Sequence, residues 1–68
     1  MDGVIKRIYP EKGYGFIKGV NAEEYFFHRS GLEMTTVRFA DLGEGMEVAF
    51  QPIEGPKGPR AIEVRVIE

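Results

Sequence analysis

The chain has 68 residues, 43% of them hydrophobic and 29% charged, with a net charge of −2, one histidine and no cysteine. That is room for a single folded domain over residues 1–68, burying about 60% of its unfolded surface and stable by about 3–10 kcal/mol. Disulfides and thiolate metal centres are excluded, one imidazole is too few ligands for zinc, and no cofactor or metal is expected. No apolar run is long enough for a membrane helix, and the start lacks a signal-peptide pattern, so the cytoplasm is the expected compartment.

Gly3 to Tyr9 reads as a first strand of β-formers, with Lys6 and Arg7 interrupting the alternation. A β-bulge there would put Lys6, Arg7 and Ile8 on or near one surface. Pro10-Glu11-Lys12-Gly13 is turn chemistry, and Tyr14 to Lys18 forms a second strand. Gly19-Val20-Asn21-Ala22 turns the chain into a third strand, Glu23 to His28. From Arg29 to Gly45 no period holds. Ser30-Gly31-Leu32 begins a single helical turn there, and Leu32, Met34, Val37, Phe39 and Leu42 are the large apolar anchors of a long loop. Met46 to Ile53 is the fourth strand, and Pro52, which cannot donate to a ladder, requires an edge or a bulge near its end. A glycine- and proline-rich turn, Glu54 to Pro59, leads to the fifth strand, Ala61 to Ile67, where Ile62, Val64 and Val66 alternate with Glu63 and Arg65. Five short strands with a long crossover after the third predict an all-β fold: a five-stranded Greek-key barrel of the OB-fold type. The binding face of that fold lies on strands two and three.

Those two strands carry the chemistry. Successive side chains of a strand point to opposite faces, so Tyr14 and Phe16 share one face and Phe26 and His28 share one. Ile17, Tyr25 and Phe27 point the other way and supply a core. Paired as a hairpin, the strands present three aromatic rings and an imidazole bordered by Lys12, Lys18 and Arg29, a platform for unstacked bases. Gly13 and Gly15 flank Tyr14 and allow backbone or ligand to approach closely. The first 40 residues hold six basic and five acidic side chains, the remainder three and six, so the positive field is local and modest. His28 as a general base would need a nucleophile or second acid in reach, and only Ser30 is nearby. With no phosphate-binding loop and no paired carboxylates either, neither an enzyme nor a small-molecule substrate is expected.

The same residues resemble the bacterial cold-shock proteins. Lys12-Gly13-Tyr14-Gly15-Phe16-Ile17 is similar to that family's first ribonucleoprotein motif, and Phe26-Phe27-His28 with Ser30 to its second. Gly3-Val4-Ile5-Lys6, Leu42-Gly43-Glu44-Gly45 and Gly55-Pro56-Lys57-Gly58-Pro59 with Ala61 resemble its start, its loop exit and its last turn. The resemblance implies an OB-type barrel that binds single-stranded RNA and DNA, and the ring platform leads one to expect little sequence preference, with pyrimidine-rich strands favoured. It further implies a cytoplasmic RNA chaperone or regulator that works without ATP, and a monomer is expected. It places binding on Lys6, Lys12, Tyr14, Phe16, Phe26, His28, Phe39 and Lys57. The chain departs from the family at Arg7-Ile8-Tyr9, where tryptophan, phenylalanine and asparagine are usual, and at Arg29, where phenylalanine is usual. The loop before Phe39 is longer than usual, and Glu63 replaces a customary asparagine.

Several residues keep two readings. Phe39 is either a contact for the strand or a loop anchor buried on the barrel. Lys57 is either a phosphate contact or a solvated charge. Arg7 and Arg29 either stack on bases and meet phosphate, or pair with Glu11, Glu23 or Glu24, and exposed pairs of that kind contribute at most about 1 kcal/mol. A different class of function also fits: an interaction barrel that offers its aromatic face to a protein partner.

Overall fold

A computed structural model describes residues 1–32 and 38–67. The anchors expected at Met34 and Val37, and the length of the loop before Phe39, lie outside the described residues. Five strands form: β1 (Asp2–Tyr9), β2 (Tyr14–Gly19), β3 (Glu24–His28), β4 (Glu47–Gly55) and β5 (Gly58–Val66). They close into a barrel in the order β1-β2-β3-β5-β4, the all-β Greek-key arrangement that the sequence predicts. Neighbours run antiparallel except β3 and β5, which meet in parallel at Phe26 and Arg60. Single 3-10 turns cover Arg29–Gly31, one residue earlier than the Ser30–Leu32 turn expected because Leu32 bridges to Val64, and Phe39–Asp41.

The two-residue period of the strands sorts the side chains. Ile17 on β2, Tyr25 and Phe27 on β3, and Val48 and Phe50 on β4 are all buried. The Tyr25 hydroxyl reaches the end of the barrel, accepting a bond from Asn21 at 2.9 Å and donating one to Glu23 at 3.3 Å. No polar side chain of the described residues is buried. Gly15 has a specific role in this packing. A side chain there would sit 2.6 Å from the Arg7 carbonyl and 2.9 Å from the Phe27 ring. The close approach that the glycines allow at Gly15 is therefore filled by the protein's own core. It leaves no room for a ligand.

Two bulges reset the alternation. In β1 the register with β2 slips between Ile5 and Arg7, so Ile5 faces Ile17 and Arg7 faces Phe16. The slip leaves Lys6 as the extra residue and turns Arg7 and Tyr9 outward. Ile8, expected on the surface with them, instead packs against the core. The second bulge opposes Phe50 to Glu63 and Val64, and it breaks the Ile62–Val64–Val66 alternation. Ala61 and Val64 go inside, and Ile62 is left partly exposed. Pro52 lies past the last β1 partner of β4, which is Ala49, so its missing N–H falls on an open edge.

Glu63 sits in the left-handed region, at φ 52°. There an L-residue other than asparagine or glycine is strained by about 1–2 kcal/mol. The geometry accounts for the asparagine usual at this position in the resembling family. Replacing Glu63 with Asn should raise stability by about 0.5–1 kcal/mol and the melting temperature by about 2–8 °C. A thermal melt that does not move would show that the bulge holds a glutamate as readily as an asparagine.

Candidate nucleic-acid interface

The outer face of β1–β3 gathers four rings. Phe16 pairs in register with Phe26, and Tyr14 with His28. Ring centroids are 5.8 Å apart for Phe16–Phe26, 5.5 Å for Tyr14–Phe26 and 6.3 Å for Tyr14–Phe16. Tyr9 extends the row, with its ring 5.2 Å from that of Tyr14. All four side chains are only partly buried. Phe16 meets Tyr14 and Phe26 edge to face, while Tyr14 is tilted against Tyr9 and Phe26, so the rings brace one another without being buried.

Beside the rings, the β4–β5 hairpin folds over to form a cleft. Phe16, Phe26 and His28 line one wall, and residues 55–60, including Lys57 and Arg60, line the other. The Arg60 guanidinium carbon lies 5.2 Å from the centre of the Phe26 ring, a cation–π contact. His28 is tied to the turn that follows it. The Ser30 backbone N–H donates to its Nδ1 at 3.1 Å, capping the 3-10 turn, and Ser30 Oγ lies 2.9 Å from the same nitrogen. Because a backbone N–H can only donate, Nδ1 is the acceptor of the ring, and Nε2 carries the hydrogen.

The positive residues divide into free and paired. Lys6 bonds Glu24 at 2.7 Å, and its ammonium holds the Glu24 carboxyl below the usual carboxylate range. Arg7 stands opposite Phe16, with Lys6, Tyr9 and Glu44 around it, and the Tyr9 hydroxyl holds its guanidinium above its ordinary value. Arg29 donates its backbone N–H to Gly13 at 2.9 Å, and its side-chain stem covers Gly13, whose φ of 76° suits glycine. Among the described residues the ion pairs are Lys6–Glu24 and Arg38–Asp41. Arg7 and Arg29 therefore make none with Glu11, Glu23 or Glu24, while Lys12 and Lys57 are exposed in their turns.

One expected site residue is elsewhere. Phe39 is 7% exposed and packs into the core, its ring 5.9 Å from that of Phe27. It is a loop anchor and does not join the platform. The 3-10 turn from Phe39 to Asp41 gives the crossover one apolar residue aimed inward, and burial decides the outcome. Two residues of the face, Tyr9 and Arg60, are missed by sequence reasoning. The bulge in β1 could have signalled Tyr9, since an extra residue at Lys6 puts Arg7 and Tyr9 on the side of Tyr14. No local signal marks Arg60, which the sequence leaves between a turn and a strand.

A closed five-stranded barrel with aromatic side chains on β1–β3 defines the OB-type architecture, a fold whose members bind oligonucleotides and oligosaccharides. The chain matches the 'Cold-shock' DNA-binding domain family over residues 1–67. It is 43% identical to a cold shock-like protein of Thermotoga maritima over the whole of both chains. It is 40% identical to a major cold shock protein of Streptococcus pyogenes, over 91% of this chain and 90% of that one. With the cold shock-like protein CspJ of Salmonella typhi it shares 40% identity over 91% of this chain and 87% of the other. The chain belongs to the cold-shock domain family.

Proposed function

We propose that this protein binds single-stranded RNA and DNA, and acts in the cytoplasm as an ATP-independent RNA chaperone or as a regulator of transcription or translation. The observation that carries the reading is the row of four partly exposed rings, Tyr9, Tyr14, Phe16 and Phe26, beside Arg7, Lys12, Arg29 and Lys57. A base in a duplex is already stacked on its neighbours, whereas a base in a single strand can stack on a ring. Pyrimidine-rich strands are preferred because they stack weakly on themselves and give up little on binding. The protein works as a monomer and as a binder and not as an enzyme, a reading supported by a lone imidazole whose Nδ1 accepts from the Ser30 backbone N–H.

The test is a titration of single strand against duplex of the same sequence, repeated over a range of salt. The single strand should bind far more tightly, with log affinity falling by roughly 0.7 per phosphate neutralised for each unit of log salt. Arg7 and Arg29 stand near the rings, so the double substitution Arg7→Trp with Arg29→Phe should flatten that slope by up to about 1.4. Equal affinity for duplex and single strand would refute the platform. Equal slopes for parent and double mutant would mean that neither arginine meets the backbone, and a protein partner for this face would gain support.

A further inference from the structure

The foot of the platform is built as an anion site, and one of the protein's own carboxylates fills it. In the sheet, β2 lies between β1 and β3. Two rows of outward side chains cross these strands, Arg7–Phe16–Phe26 and, one step further along, Val4–Lys18–Glu24. The bulge in β1 puts Lys6 between the two rows, and its ammonium reaches over β2 to the Glu24 carboxylate at 2.7 Å. Neighbouring strands lie about 4.8 Å apart, so this bridge spans about 10 Å of sheet beside the Phe16 ring. Lys18 stands opposite Glu24 in the ladder, and Arg7 follows Lys6 on β1. Lys6 above all, with Arg7 and Lys18 behind it, holds the Glu24 carboxyl below the usual carboxylate range. Three cations thus converge on a single negative group.

The bridge is also easily opened. Its two side chains are 44% and 51% exposed, and an ion pair so wet is worth little to the fold. Phe16 and Lys18 are two residues apart on β2, about 7 Å. A backbone that leaves the ring pair toward this end therefore brings a phosphate to the place that Glu24 holds.

We propose that Glu24 occupies a phosphate site in the free protein: its carboxylate stands in for a strand phosphate among Lys6, Arg7 and Lys18, and gives way when the strand binds. The contact is autoinhibitory, because each binding event must first displace it. This rests on the single-strand reading above and deepens it by giving one phosphate its place and its competitor.

Isotherms of a short thymidine strand, taken over a range of salt, test it. Glu24→Gln should bind about two- to fivefold more tightly than the parent, the worth of one exposed ion pair. Its slope of log affinity against log salt should steepen by about 0.7, the mark of one more phosphate neutralised. Adding Lys6→Gln should remove both gains, because the cation that Glu24 released is then missing. Glu11→Gln removes an equal charge from the exposed β1–β2 turn and should leave the slope as it is. All these side chains are exposed, so the variants keep their fold, and a thermal melt of each checks it. Three results would each overturn the proposal: no gain in Glu24→Gln, a gain that survives Lys6→Gln, or a gain that Glu11→Gln reproduces. Failure of the parent protein to bind the thymidine strand would instead bring down the single-strand reading itself, and this inference with it.

Discussion

Phe27→Ala should destabilise the fold by about 3–5 kcal/mol, the usual result of emptying a core phenylalanine site. The ring is fully buried, lies over Gly15 and meets Phe39 at 5.9 Å. In a chain stable by only about 3–10 kcal/mol, that loss removes from about a third to all of the stability. Phe39→Ala should move in the same direction, because Phe39 anchors the crossover to that ring. Denaturant midpoints measured beside oligonucleotide isotherms decide both. If Phe39→Ala kept its stability and lost affinity, the loop would have to open onto the binding face in solution.

The legible parts of this molecule are those where one rule acts alone. Between Tyr14 and Ile17, and again between Tyr25 and His28, alternation is unbroken, so core and platform separate correctly. Phe26 and Phe27 are adjacent, and a regular strand must send them to opposite sides. The illegible parts are those where the backbone steps out of period. One extra residue in β1 reverses the faces of everything after it, which is why Tyr9 is on the platform and Ile8 is not. The bulge in β5 likewise exchanges Ile62 for Ala61 as the inward residue. Phe39 stands in a segment with no period at all, and its place depends on which apolar surface lies beneath it.

Apart from Arg29, which opens the turn after β3, the departures from the family described above sit where these irregularities are. Arg7 and Tyr9 follow the first bulge, and Glu63 sits in the second. Lys6, carried over as a contact, is tied to Glu24, so the positive charge next to Phe16 comes from its neighbour Arg7. The platform has thereby shifted its charge by one residue and gained a phenol at its far end. It keeps the central ring pair unchanged.

That central pair gives the largest expected effect on binding. Phe16→Ala and Phe26→Ala should each weaken single-strand affinity by about 1–3 kcal/mol, the usual worth of one stacked base. Each should lower folding stability far less than Phe27→Ala does, because each ring is partly exposed and closes no core cavity. Their effects should not add. The rings lie 5.8 Å apart and Tyr14 leans on both, so removing one loosens the other, and the first substitution already takes part of what the second would take. Phe26→Ala carries a further consequence, since Arg60 loses the ring that positions it. Isotherms of the two single variants and of the double variant, read beside their melts, separate stacking from packing. A collapse in stability for Phe16→Ala would mean that the ring belongs to the core and that the platform has been assigned to the wrong face.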